Sequence, residues 1–195
     1  MKRSDKREQL IEAGKQIVIK QGFNAASLNE ILAVAEVPKG SFYYYFASKE
    51  EFGLAIIDRF AEKYSQKLQQ YLKDPDFSYL IRLRNYLEAG IAEMQLSQCQ
   101  DGCLMGNLAQ ELSSQNELFR HRLTTIFLQW EQAFANCLNS AKAAEEFAPK
   151  QDTSVLARFV LSCWQGAILQ SKLAHSTTPM EECIETLFAT VISPK

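Results

Sequence analysis

No stretch of this chain is apolar for long enough to cross a bilayer. Its first residues, Met1-Lys2-Arg3-Ser4-Asp5-Lys6-Arg7, lack the apolar core of a secretion signal. Alternating β-branched runs and hairpin dipeptides are missing too, since Asp101-Gly102 has no strand pattern on either side. Histidine is nearly absent: His121 and His175 are the only two. A metal site or a cysteine–histidine nucleophile therefore has little to draw on. The five cysteines are an odd number without framework spacing, which argues against a secreted disulfide scaffold. There is no internal repeat and no low-complexity segment. These absences leave an all-α protein, expected in the cytoplasm, with no membrane partner, no metal and no cofactor.

What is present is helical periodicity almost from end to end, with 47% hydrophobic residues, enough for a sizeable core. A first helix is expected over residues 4–21, with Leu10, Ala13, Ile17 and Val18 inward and Gly22 at its left-handed end. Ser27-Leu28-Asn29-Glu30 reads as a capping box that opens a second helix to about Ala35. Glu36 and Val37 turn the chain. Pro38, with its fixed φ, suits the first position of a third, short helix. Ser48-Lys49-Glu50-Glu51 is a second capping box, launching a long helix to about Leu72. Further helices are expected over 77–97, 103–113, 116–140, 153–174 and 179–192, with a surface loop from Ser140 to Asp152.

Two short helices joined by a tight turn have the spacing of a helix-turn-helix, whose second helix enters the major groove of DNA. Here that helix is the aromatic segment Phe42-Tyr43-Tyr44-Tyr45-Phe46, bracketed by Lys39 and Lys49. Lys39 and Ser41 fall in its first turn, and Gly40 lets backbone approach a phosphate or a thymine methyl. Tyr43, Tyr44 and Tyr45 span too much of the circumference for all to be buried, so a phenol can lie on sugar or donate to phosphate. Phe42 and Phe46, four apart, read as core. The net charge of −2 is unevenly spread. Residues 1–49 hold eight basic and five acidic groups, a balance of +3, which leaves −5 for the rest. A basic end on an acidic body places phosphate affinity at one end.

These residues resemble the TetR family of one-component transcriptional regulators. The resemblance is carried by Gly22-Phe23, by Ser27-Leu28-Asn29-Glu30-Ile31-Leu32, and by Val37 through Phe46 with Ser48-Lys49-Glu50 after it. It implies operator contacts at Ser27, Lys39, Gly40, Tyr43, Tyr44 and Lys49. Many members have Thr at the position of Ser27, where both cap a helix. Many have His at the position of Tyr45, whose phosphate contact is carried on the phenol alone. The resemblance also implies a DNA-binding domain over 1–50 and an effector-binding and dimerisation domain over 51–195. The last two helices would pair with their mates in a homodimer that reads a palindromic operator.

The sequence supports the dimer independently. Leu156, Phe159, Val160, Cys163, Trp164, Ala167, Ile168 and Leu169 make a stripe wider than one packing face needs. Ile184, Leu187, Phe188, Val191 and Ile192 do the same near the end, although either set could instead finish the monomer core. Asp101-Gly102-Cys103-Leu104-Met105 resembles a branch of the family that includes sensors of reactive electrophiles. Cys103 would lie at a helix N-terminus, where the dipole favours thiolate, and Lys172 could pair with it. Cys103 could equally be a buried small residue. Cys137, Cys163 and Cys183 fall on apolar faces as inert core, and Cys99 with Cys103 makes no metal site. Met94, Met105, Phe119, Phe127, Trp130 and Trp164 could line an apolar effector pocket or be plain core. The chain is expected to be a repressor released by a small-molecule or electrophile effector, not an enzyme. The alternatives are a cysteine-dependent enzyme and a helical protein-interaction module.

Overall fold

A computed structural model describes residues 3–192 and, among them, contains helices and no strand. Lys2, one of the eight basic groups counted above, lies outside the described residues. The elements are α1 (Arg3–Gln21), α2 (Leu28–Val34), α3 (Phe42–Tyr45), α4 (Lys49–Leu72), α5 (Tyr79–Leu96), α6 (Leu104–Leu112), α7 (Glu117–Ala143), α8 (Thr153–Ala174) and α9 (Thr178–Thr186). A tight 3-10 turn, Lys39–Ser41, leads into α3, and a wider π turn, Leu187–Val191, follows α9.

The sequence places most helix ends through local chemistry. Gly22 closes α1 at φ +85°, and its N–H returns to the Val18 carbonyl at 2.8 Å. Ser48 caps α4: its Oγ accepts the Glu51 N–H at 3.0 Å, while the Glu51 carboxylate takes the Ala47 N–H at 2.6 Å. Asp152 caps α8 by accepting the Ser154 N–H at 2.8 Å. Asn116 opens α7 by accepting from Leu118 and Phe119.

Two local expectations fail. Ser27 has extended cap geometry, but its side chain makes no cap hydrogen bond, so the capping box there does not form. The Glu30 carboxylate instead accepts from the Gln21 amide at 2.9 Å, which removes the reciprocal partner. Pro38 stands at φ −57° and ψ 140°, outside the helix. Its carbonyl takes the Ser41 N–H at 2.9 Å, so the first turn is 3-10 and α3 begins only at Phe42. A smaller difference is that α7 runs on to Ala143, into the expected loop.

Contacts divide the chain into two compact units. The first runs through Lys63 and adds Leu104–Leu123; the second comprises Tyr64–Cys103 and the chain from Thr124 onward. In the first, Leu10, Ile11, Ile17, Ile31, Leu32, Phe42, Phe46, Phe52 and Ile56 are buried together. Gly14 is there because of close packing: a Cβ would meet the Phe52 ring and stand 2.8 Å from the Ile56 methyl. In the second, α9 packs on α8 and α5. A Cβ on Gly90 would come within 2.7 Å of the Trp164 ring. Ile184, Leu187, Phe188 and Ile192 are spent in this core, whereas Val155, Phe159, Leu169 and Leu173 of α8 stay exposed.

The turn between α2 and α3 closes with the Val37 N–H on the Leu32 carbonyl at 3.0 Å and the Glu36 N–H on the Ala33 carbonyl at 3.2 Å. Glu36 is left-handed there at φ +52°, a conformation that costs a residue with a Cβ about 1 kcal/mol. Glu36→Gly is therefore expected to raise stability by up to about 1 kcal/mol. Gly14→Ala is expected to lower it by about 1–3 kcal/mol through overpacking. Chemical denaturation of the two variants checks both signs.

Candidate functional site

The helix-turn-helix presents its second helix by anchoring one face of it. Phe42 and Phe46 are buried, with ring centroids 5.6 Å apart, and Phe52 of α4 meets them edge-on at 5.4 and 4.9 Å. The Arg7 guanidinium lies 4.9 Å from the Phe46 ring centroid. With Phe42 and Phe46, four residues apart and so on one face, spent on this anchor, Tyr43 and Tyr44 face outward; they are 69% and 61% exposed. Tyr45 is half-buried, its ring 5.1 Å from that of Tyr44. Lys39 and Gly40 are exposed beside them, Ser41 is half-buried, and Ser27 is exposed at the start of α2. A Cβ on Gly40 would meet nothing within 4 Å, so nothing in the fold itself asks for glycine there.

Lys49 is held more firmly than its neighbours. It is half-buried, its ammonium donates to the Asn24 carbonyl at 3.2 Å and lies 5.0 Å from the Phe23 ring. It thus fixes the loop after α1 as well as carrying charge. That loop has a second holder, which sequence reasoning missed. The Glu111 carboxylate of α6 accepts the Phe23 N–H at 2.8 Å and the Asn24 N–H at 2.7 Å. A Cβ on Gly22 would stand 3.0 Å from a Glu111 oxygen, so this glycine serves both the turn and the close approach. Phe119 packs edge-on against Phe23, and Asn116 donates to Glu50. Residues from α6 and the start of α7 thereby belong to the same compact unit as the helix-turn-helix.

In the second unit Cys103 is 7% exposed and precedes α6 directly. It lies close enough to Tyr64 and Tyr86 that negative charge on its sulfur adds to the burial that raises both phenols above their usual range. Lys172 donates from α8 to the Asp101 carbonyl at 3.3 Å, two residues before Cys103. The loop that brings Cys103 to this place has Gln98 and Cys99 both left-handed, followed by Gly102 at φ +71°. All five cysteines are thiols. Burial pushes Cys137 up to about 12 and Cys183 up to about 11, and it raises Cys163 as well.

Of the six residues considered for an effector pocket, Met94, Met105, Phe119, Trp130 and Trp164 are buried and Phe127 is half-buried. Phe127 and Tyr64 each pack against Trp130, at 5.1 and 5.2 Å. A cavity of about 570 Å³ lies among α4, α5 and α7, and Trp130 is the one of the six that lines it. Among the described residues no three His, Cys, Asp or Glu side chains converge as a metal-binding set, and no helix is long and apolar enough to cross a membrane.

Residues 10–56 match the family model for bacterial regulatory proteins of the tetR family. Residues 80–187 match the tetracyclin repressor-like C-terminal domain. The chain is 32% identical over 192 residues to the HTH-type transcriptional repressor DhaR of Mycobacterium sp. (strain GP1), covering 98% of this chain and 95% of that one. It is 34% identical over 179 residues to the transcriptional regulator AcuR of Cereibacter sphaeroides, covering 92% and 82%. It is 31% identical over 194 residues to the HTH-type transcriptional repressor NemR of Escherichia coli K12, covering 97% and 96%. Among solved structures, a regulatory protein TetR from Rhodobacter sphaeroides matches at a TM-score of 0.89 with 33% identity, covering 94% and 97%. The reduced form of Escherichia coli NemR matches at 0.86 with 29% identity, covering 96% and 98%. An exposed tyrosine face on an anchored second helix, both family models and relatives aligned over nearly the whole chain agree: this protein belongs to the TetR family of transcriptional regulators.

Proposed function

We propose that this chain is a cytoplasmic repressor that binds a palindromic operator as a dimer and is released by a small-molecule or reactive electrophile effector. The observation that carries the DNA-reading part is the outward face of α3. Tyr43 and Tyr44 are exposed on a helix whose other side is held by Phe42 and Phe46, next to a glycine with open space around it. In this proposal Lys39, Ser41 and Gly40 meet the edge of the groove, and Tyr43, Tyr44 and Tyr45 meet sugar and phosphate. Ser27 and Lys49 add backbone contacts, Lys49 partly by holding its loop. Residues 1–50 carry the reading function, and residues 51–195 carry effector binding and dimerisation. The exposed α8 residues Val155, Phe159, Leu169 and Leu173 supply the apolar face for a second copy.

Cys103 with Lys172 is the proposed effector-sensing pair; Met94, Phe127, Trp130 and Trp164 of the second unit, and Met105 and Phe119 of the first, are the apolar residues proposed for effector binding. Addition to an α,β-unsaturated carbonyl would form a bond from the Cys103 sulfur to the β-carbon and break the C=C π bond. The thiol proton would go to the α-carbon. Lys172, already beside the Asp101 carbonyl, would stabilise thiolate on the way. The solved relative described as a reduced form supports a redox-sensitive reading of this branch. Glu111 is the proposed coupling residue, because a shift of α6 would pull on the amides of Phe23 and Asn24.

Operator binding is checked by fluorescence anisotropy on the duplex upstream of the protein's own gene. Tyr44→Ala and Lys39→Ala are expected to weaken it, and Lys39→Ala to reduce the slope of log affinity against log salt by about one. Unchanged affinity and slope in both variants would sink the reading surface. Release by N-ethylmaleimide is expected to vanish in Cys103→Ser and to weaken in Glu111→Ala. A Cys103→Ser protein that releases DNA as wild type does contradicts the sensing role. With its pKa near 12, Cys137 is about one part in ten thousand thiolate at pH 8. Native Cys137 should therefore stay unlabelled there by an aromatic disulfide, its rate rising about tenfold per pH unit, as peptide mapping can check.

A further inference from the structure

We propose that the cleft among α4, α5 and α7 is a binding site for a small organic carboxylate with an apolar body, separate from the Cys103 thiol. It rests on reading the second unit as effector-binding. The cleft, of about 570 Å³, is lined by Leu68, Leu72 and Ala133, by the rings of Tyr79 and Trp130, and by two cations, Lys73 and Arg82. Among the described residues no Asp or Glu lines it; Ser65, Gln69, Gln129, Gln132, Asn136 and Ser140 supply neutral polar groups, so the only charges on its wall are the two positive ones. A ligand of opposite sign with an apolar frame matches both parts, and the volume is that of an ordinary small-molecule pocket.

Two further observations bear on the acceptor end of such a ligand. Arg82 is held in place by one edge: its Nε donates to the Phe77 carbonyl at 2.8 Å, and its guanidinium carbon lies 4.4 Å from the Tyr79 ring centroid. That grip positions a planar cation suited to a carboxylate. Glu146 acts on the Cys137 thiol, but its two oxygens accept the N–H groups of Tyr79 and Leu80 at 2.9 and 2.8 Å. Its charge is thus engaged at the start of α5. Cys137 is itself hydrogen-bonded to the Tyr79 carbonyl at 3.2 Å and held protonated by burial, so the cleft binds reversibly and is not a thiol-reaction site.

Isothermal titration calorimetry with phenylbutyrate on the full chain, and with the neutral phenylbutyramide of nearly the same shape, tests this. The acid is expected to bind and the amide to bind at least about tenfold more weakly. Arg82→Gln should loosen the acid by about tenfold, and Lys73→Gln by a few-fold because it is more exposed. Arg84→Gln, on the same helix but paired with Glu88 and Glu185, should leave the affinity unchanged. Thermal melts of each variant separate lost binding from lost folding. No binding of the acid at millimolar concentration overturns the proposal. So does equal binding of acid and amide, or wild-type affinity in a folded Arg82→Gln protein. Operator anisotropy in the presence of the acid is a separate arm. Binding without DNA release leaves the site standing and counts against the effector reading of that unit.

Discussion

The packing of Phe42, Phe46 and Phe52 is the constraint on which the rest depends. Three rings in mutual contact fix the rotation of a helix only four residues long, which has almost no stability of its own. Once Phe42 and Phe46 are inside, the geometry of a helix turn puts Tyr43 and Tyr44 outside. A short helix so fixed can present a chemical face; one not fixed would present an average. The Gly14 contact with Phe52 serves the same end from below, because it lets α1 approach the ring that the two α3 phenylalanines rest on.

A second constraint joins residues distant in sequence. Glu111 lies 88 residues after Phe23, yet its carboxylate takes the two amides that follow the Gly22 turn. A carboxylate accepting two N–H bonds is a stronger tie than a neutral contact, and it is directional. Asn116 on Glu50 and Arg122 on Asp58, the latter at 2.5 Å, add polar ties from the same stretch of chain to α4. The helix-turn-helix is thus completed by α6 and the first turns of α7. In the second unit, α9 spends its apolar residues on the core and α8 keeps a spare face. Each helix therefore has a different surplus, although both looked alike as apolar stripes.

What was legible in the sequence was local. The Gly22 end, the Ser48 cap and the exact span of α8 follow from residues within a turn of where they act, and the all-α class and the family follow from motif and periodicity. The inward Phe42 and Phe46 were readable because four-residue spacing defines a face. The Ser27 box was misread because Glu30 has a competing partner, Gln21, which motif spacing does not register. Pro38 was misassigned because its ψ of 140° keeps it outside the helix while its carbonyl starts a 3-10 turn, so α3 begins four residues later than expected. Glu111 was invisible because its partners are backbone amides, which every sequence has. The cleft was invisible for a related reason. Its cations, Lys73 and Arg82, sit on ordinary helix ends, and Trp130, which lines it, looked like core.

The central claim is that the aromatic segment has an inner and an outer face and that DNA meets the outer one. Fluorine NMR measures this directly, with fluorotyrosine placed at Tyr43 or Tyr44 and fluorophenylalanine at Phe42 or Phe46 in otherwise wild-type protein. On titration with the operator duplex, the Tyr43 and Tyr44 resonances should shift and lose their sensitivity to solvent, while those of Phe42 and Phe46 should stay in place. Tyrosine resonances that do not move while the protein binds the duplex would contradict the account, because the DNA would then be held by some other surface.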